Sequence, residues 1–270
     1  MGKKSYWKGP QKQRLSYWDE RGKRIRWYRG DWFYTITELP YYVYRRNWLL
    51  RQFSKIGFSG KHILEIGCGD GYYCSHFWEN YKRVEVHGVD FSCQMLSLAK
   101  KRFREKKAPC SFFQAKAEEL PFRRDGFDVV VILSVLAHLN DEELNRCLAE
   151  VARITRKQAK LLVFVKVASQ IRWQEIAIRR KPEAYINLFQ FHGFKLEKQI
   201  HWSSPLFRKG MEFYDRFSYL YKRLFNRSSF LLRLEYVLRN YSAGLMVGLT
   251  RLTDRFWQED IGNEFLLFSK

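Results

Sequence analysis

No stretch of this sequence is apolar for long enough to cross a bilayer. The longest apolar run, Val129 to Ala137, is broken by Ser134, and a helical span needs roughly 20 such residues. The first residues, Met1 to Lys8, lack the apolar core of a signal peptide. The expectation is a protein that is soluble or at most peripheral to a membrane. Cysteine is sparse and unpatterned. Cys68, Cys74, Cys93, Cys110 and Cys147 form no C-x-x-C pair, and none groups with histidine at zinc-finger spacing. An odd count in a chain of 270 residues argues against a disulfide framework. No structural metal is expected, and the reducing cytoplasm is the expected compartment. There is also no internal repeat and no low-complexity linker.

Acidic residues are in deficit. The chain has 49 Lys and Arg against 28 Asp and Glu, a formal charge of +21. The imbalance is uneven: residues 1–61 carry +11, residues 62–150 carry −2 and residues 151–270 carry +12, which sum to +21. The basic flanks would attract phosphorylated substrates, RNA or an anionic membrane, although a basic surface also serves solubility alone. Hydrophobic residues at 46% and aromatics at 17% exclude a disordered chain. The length fits one large α/β domain with embellishments.

Patterning supports that class. After a helix over residues 40–56 and a Gly57–Lys61 turn, strands and helices alternate. Strands are expected at His62–Ile66, Arg83–Val89, Cys110–Ala115, Phe127–Leu133 and Ala159–Val167. Helices are expected at Tyr72–Tyr81, Cys93–Lys107 and Asp141–Arg156, the last capped by Asn140 or Asp141. A helix over Pro182–His192, ended by Gly193, then leads to strands at Phe194–His201 and Asn263–Ser269. Such alternation means a doubly wound, mostly parallel sheet. The seven-stranded α/β sheet would be Rossmann-like, with the last strand antiparallel. The domain plan is an N-terminal basic and aromatic arm over 1–60, a ligand-binding domain over 61–201 plus 263–270, and a helical, lid-like insertion over 202–262.

The sharpest local signal is Gly67-Cys68-Gly69-Asp70-Gly71 between the first strand and its helix. Glycines there allow positive φ and close approach of main chain to a ligand, at the strand end where open α/β sheets bind ligands. The spacing is neither the dinucleotide G-x-G-x-x-G nor a phosphate-cradling P-loop. Asp90, 23 positions after Gly67, ends the next strand. A carboxylate there can accept hydrogen bonds from both hydroxyls of a ribose, or else cap the following helix. The joint pattern points to a nucleoside-bearing cofactor.

On ILEIGCGDGYY, VHGVDFSCQMLSLAKKR, QAKAEELPFRRDGFDVVVILSVLAHLND, LAEVARITR and AYINLFQFHGFKLEKQI, the chain resembles the class I S-adenosylmethionine-dependent methyltransferases, in particular their small-molecule group. The resemblance covers residues 60–201 plus the terminal strand. It implies S-adenosylmethionine as cofactor, with Glu65, Gly67 and Gly69 around its methionine part and Asp90 on the ribose. Phe91 and Met95 would flank the adenine, Ala117 and Glu118 would border its edge, and Ile132 and Leu133 would line the path to the methyl group. Lys116 stands where the family often has Asp, and Lys157-Gln158-Ala159-Lys160 replaces a usually glycine-bearing loop.

A sulfonium methyl is already activated, so the protein's main tasks are alignment and exclusion of water. His138, just after the fourth strand, is the candidate general base for a hydroxyl or carbon-acid acceptor; a local hydrogen bond at a helix entry is its other reading. His201 and Trp202 lie where the insertion leaves the sheet. The fourth strand runs into Leu-Ser-Val-Leu-Ala-His rather than Asn-Pro-Pro-Tyr, which counts against adenine or glutamine amide methylation. Residues 1–53 hold fourteen aromatics, among them Trp7, Trp18, Trp27, Trp32 and Trp48. The insertion interleaves aromatics, nine from Phe213 to Tyr241, with Arg216, Arg223, Arg227, Arg233 and Arg239. A lid over a small or lipid-like acceptor, with arginines holding an anionic group, is the favoured reading. RNA binding, peripheral contact with an anionic membrane and a non-catalytic cofactor-binding scaffold are the alternatives.

Overall fold

The computed structural model describes residues 14–20, 23, 40–106, 109–169, 172–173, 177–202 and 261–270. The chain divides into two compact units, one of Met1–Arg26, Phe58–Trp202 and Asp260–Lys270, the other of Trp27–Gly57 and Ser203–Glu259. The first unit opens with a helix, α1, over residues 14–20. In the second unit the described helix is α2 (Pro40–Phe53). Most of the arm and insertion expected from the sequence, including Trp7, Trp27, Trp32 and the aromatic and arginine series from Phe213 to Tyr241, lies outside the described residues.

The first unit continues with β1 (His62–Ile66), α3 (Tyr72–Asn80), β2 (Glu85–Asp90), α4 (Cys93–Glu105), β3 (Ser111–Gln114) and β4 (Phe127–Leu133). A one-turn 3-10 helix (Leu136–His138) precedes α5 (Asp141–Ile154) and β5 (Thr155–Ala168). There follow β6 (Arg172–Trp173), β7 (Ile178–Arg179), α6 (Pro182–Phe191), β8 (Lys195–Trp202) and β9 (Ile261–Ser269). Seven strands form one sheet in the order β3-β2-β1-β4-β5-β9-β8, and β6 and β7 form a separate antiparallel pair. Neighbours from β3 through β5 run parallel. β9 runs antiparallel to both β5 and β8. This is the doubly wound Rossmann-like sheet expected, with the last strand lying between β5 and the edge strand β8.

The sheet is buried on both faces because its central strands are mainly apolar on both. Leu64, Ile66, Val130, Ile132, Leu161, Val163 and Val165 pack with Leu144, Cys147, Leu148 and Val151 of α5 and Tyr185 and Phe189 of α6. The intervening Ile63, Val129, Val131, Leu162 and Phe164 are equally buried and alternate to the opposite face, where α3 and α4 pack on β2 and β3. α5 starts at a capping box: Asn140 accepts from the Glu143 N–H at 2.8 Å, and Glu143 accepts from the Asn140 N–H at 2.9 Å. Gly193 follows α6 with φ 85°, as its position predicts.

Two differences from the sequence reading have local causes. α5 stops at Ile154 rather than Arg156, because Thr155 turns its hydroxyl back onto the Val151 carbonyl and enters β5 with extended backbone (φ −89°, ψ 129°). β5 therefore begins at Thr155, and its register against β4 shifts between Phe127 and Val129. The β6–β7 pair was not anticipated, since two-residue strands leave no periodicity to read. Within β5, exposed Gln158 adopts φ 64°, at the loop where the resemblance leads one to expect glycine. An L side chain in that region costs about 1–2 kcal/mol. Gln158→Gly is therefore expected to raise unfolding stability by about 1 kcal/mol in urea titration, net of the greater chain entropy of glycine.

Candidate active site

The carboxyl end of β1 turns through Gly67 (φ 72°), Gly69 (φ 55°) and Gly71 (φ 73°) before α3 begins. The Gly67 and Cys68 N–H groups donate to the Val89 carbonyl at 2.7 and 2.9 Å, fastening the turn to β2. A side-chain Cβ at Gly67 would stand 2.2 Å from the Val135 Cγ2, so Val135 as well as the dihedral enforces glycine there. At Gly69 the nearest atom is the flexible tip of Met95, Cε at 3.1 Å.

Asp90 is buried, and both its oxygens take main-chain hydrogen bonds. The Gly69 N–H donates to Oδ2 at 2.9 Å and the Ser92 N–H to Oδ1 at 2.9 Å. Each oxygen retains a second lone pair. Burial pushes the Asp90 carboxyl up from its usual range, the backbone N–H groups of Ser92, Gly69 and Phe91 oppose that, and the charge of Asp19 adds to it. The helix cap of α4 is Ser92, whose Oγ accepts from the Met95 N–H at 3.2 Å. The capping role open to Asp90 in the sequence is thus taken two residues later.

Glu65, on β1, is 2% exposed. Its Oε2 accepts from the Cys74 N–H at 3.1 Å and the Cys74 thiol at 3.0 Å. Burial pushes its carboxyl up to about 8. No cationic side chain pairs with it among the described residues.

Gly69 therefore meets Asp90 by a hydrogen bond and lies beside the Met95 tip, Gly67 is fastened to Val89 next to Asp90, and Glu65 on β1 lies within electrostatic reach of Asp90. Phe91 is half-buried and its carbonyl accepts from Gln114 at 3.1 Å. Ala117 and Glu118 lie in the turn closed by the Lys116–Glu119 bridge; Ala117 packs against the core and Glu118 is half-buried. Lys116 itself is exposed. Ile132 is fully buried in the core and Leu133, next to it, half-buried. Ser134 then takes φ 61° and donates its N–H to the Phe164 carbonyl at 2.7 Å. His138 closes the 3-10 turn, its N–H donating to the Val135 carbonyl at 2.8 Å. Its ring meets Trp18 edge-on with centroids 5.3 Å apart. His201 sits on β8 with Nδ1 2.8 Å from the Glu264 carboxylate.

Three participants were not read from the sequence. Ser92 carries a readable signal, a serine just ahead of an amphipathic run. Arg14 and Asp19 carry none, because α1 is short and its contacts are more than 70 residues away. Ser92 Oγ donates to Asp19 at 2.5 Å. Arg14 donates to the His138 carbonyl at 2.7 Å and pairs through both terminal nitrogens with Glu143. β1 lies between β2 and β4, so α1, fastened to the loops after β2 and β4, straddles the carboxyl end of β1. Arg14 and the Asn140 N–H together hold the Glu143 carboxyl below its usual range against burial.

Chemically, the turn offers main chain without side chains, two buried carboxylates one strand apart, and a helix laid over them. Residues 63–158 match the model of a family described as a methyltransferase domain. This domain belongs to the class I S-adenosylmethionine-dependent methyltransferases. The methyltransferase domain is 34% identical over 106 residues to a phthiotriol/phenolphthiotriol dimycocerosates methyltransferase of Mycobacterium tuberculosis, covering 39% of this chain and 38% of that protein. It is 27% identical over 122 residues to a probable tRNA methyltransferase 9B of Mus musculus, covering 45% of this chain and 25% of that one. The chain thus spans well under half the length of these relatives. Its fold is also that of the crystal structure of the cyclase SpnF, with a TM-score of 0.61 at 18% identity over 84% of this chain and 80% of that one.

The two glycines of the turn separate folding from binding. Gly67→Ala should destabilise the methyltransferase domain by about 2–4 kcal/mol in thermal denaturation, combining left-handed strain and a clash with Val135. Gly69→Ala, which meets a movable methionine tip, should cost about 1–2 kcal/mol yet weaken cofactor binding at least as much as Gly67→Ala.

Proposed function

We propose that this protein transfers the methyl group of S-adenosylmethionine to a small or lipid-like acceptor. The observation that carries the reading is the hydrogen bond from the Gly69 N–H to Asp90: it puts a side-chain-free main chain and a carboxylate with spare lone pairs side by side, as an amino-acid moiety and a ribose of one ligand require. The residues fit the cofactor in a second respect. Glu65 is a buried carboxylate with no cationic partner among the described residues, suited to the ligand's ammonium group. When bound, the cofactor supplies an electrophilic methyl on a positively charged sulfur.

In this reading Gly67 and Gly69 admit the methionine moiety, Asp90 accepts from the ribose hydroxyls, and Phe91 and Met95 flank the adenine. Ala117 and Glu118 border the adenine edge, while Ile132 and Leu133 line the approach to the methyl group. α1 covers the cleft and excludes water. His138 is the base for a hydroxyl or carbon-acid acceptor. Its carbonyl is held by Arg14 and its ring by Trp18, two contacts that would fix the imidazole's position. The small or lipid-like acceptor is supported by the relative named for dimycocerosate methylation.

RNA is the second reading, supported by the relative named as a probable tRNA methyltransferase and by the basic flanks. Labelled methyl donor incubated with fractions of the native cell distinguishes them. Label in the lipid or small-metabolite fraction is expected; label confined to RNA, with binding that falls steeply as salt rises, would establish the second reading.

Asp90→Ala should abolish binding of S-adenosylhomocysteine in calorimetry while leaving the circular dichroism spectrum unchanged; wild-type affinity in that variant would remove the ribose assignment. His138→Asn should lower kcat by about 10²–10⁴ with the cofactor Kd unchanged, the range for loss of a general base. An equal loss in Kd would make His138 structural instead.

A further inference from the structure

The buried thiol of Cys74 has no place in the reading so far. A buried cysteine is ordinarily a small, inert hydrophobe. This one points its Sγ at a carboxylate, 3.0 Å from Glu65 Oε2, and its own backbone N–H reaches the same oxygen at 3.1 Å. Cys74 is fully buried and Glu65 nearly so. The other carboxylate oxygen, Oε1, accepts no hydrogen bond from the described residues. The Cys74 side chain and main chain together thus engage one oxygen of Glu65 and leave the second turned to another use.

We propose that Cys74 is a positioning residue: its S–H holds Glu65 Oε2 so that Oε1 meets the ammonium group of the cofactor's amino-acid moiety. The inference rests on the S-adenosylmethionine reading above and adds to it the residue that orients the carboxylate.

The surroundings explain why the thiol can serve as a donor. Cys68 on the glycine turn and Cys110 ahead of β3 neighbour the Cys74 thiol, and Glu65 faces it. Burial among these groups pushes the Cys74 thiol well above its usual range, so it stays protonated and has a hydrogen to give. Glu65 in turn faces Cys74 on α3, Asp70 on the turn and Asp90 at the end of β2; its partner on β4 is the apolar Val131. Every charged neighbour of Glu65 in that set is an acid, which favours its neutral form. The Cys74 thiol and N–H are the two groups that favour the ionised form, and an arriving ammonium would be the third.

A thiol-to-alkyl change should therefore show itself through pH. Glu65 must ionise to bind the ammonium, and without the thiol it ionises at higher pH. In titration calorimetry with S-adenosylhomocysteine, Cys74→Ala is expected to bind about tenfold more weakly than wild type at pH 7, narrowing to about threefold at pH 8.5, the pattern of an acid whose pKa rises by about one unit. Cys74→Ser, which keeps a donor, is expected to retain the wild-type pH profile. A uniform loss for Cys74→Ala across pH, or no loss, would show a packing role only and overturn the proposal. A second readout needs no ligand: carbon-13 shifts of the Glu65 carboxyl should titrate at higher pH in Cys74→Ala than in wild type, and an unmoved midpoint overturns it equally. Absence of binding by the wild-type protein at millimolar ligand would instead reject the cofactor reading itself, and the ammonium role with it.

Discussion

One hydrogen bond, from the Gly69 N–H to the Asp90 carboxylate, ties the site together. It joins the turn after one strand to the end of the next, and it exists because the turn folds left-handed three times in five residues. The Gly67, Cys68 and Gly69 N–H groups reach β2, while the Gly71 N–H closes the turn on the Cys68 carbonyl, an arrangement that positive φ at the three glycines permits. The same carboxylate then fixes the start of α4 through the Ser92 N–H. Ser92 extends the series outward by donating to Asp19 of α1. A chain of short polar contacts thus runs from the sheet to the helix that covers it, and each member is oriented by the one beneath.

The parts of this arrangement written locally were legible in the sequence. Phe127–Leu133 reads as a strand buried on both faces and is one; Asn140 with Glu143 reads as a helix start and forms both reciprocal bonds. Gly67, Gly69 and Asp90 could be singled out because a glycine turn follows one strand and a carboxylate ends the next, whereas Glu65 entered through the family resemblance alone. What stayed hidden depends on separation along the chain. Arg14 reaches a carboxylate 129 positions away, and no window of sequence contains both partners. The Thr155 hydroxyl shortened α5 through a single side-chain bond to Val151, a competition that propensity does not decide. The Cys74 thiol was read as one of five unpatterned cysteines, since its acceptor nine residues earlier lies on a different element.

The sheet and the cleft answer to different constraints. The sheet is shared with a cyclase at 18% identity, so its architecture does not choose a reaction. Under the proposed function, selection among acceptors would fall to groups around the strand ends: Ser134 in a left-handed conformation, the 3-10 turn ending at His138, and α1 with its acidic and basic pins. Lys116 is exposed, and the neighbouring Glu118 is half-buried.

The position of β9 constrains the order of assembly. Ser269 pairs with Lys160, 109 positions earlier, and β9 separates β5 from β8 along its whole length. Until Ile261–Ser269 pair, the apolar stretch Leu161–Val165 of β5 has an open edge and β8 has no strand beside it. Pairings of such high sequence separation form slowly, and an unpaired apolar edge is a template for intermolecular association. The strand Ile261–Ser269 is therefore a keystone: some 109 positions must follow Lys160 before the edge of β5 is covered, which makes the interval before closure the time of greatest vulnerability to self-association.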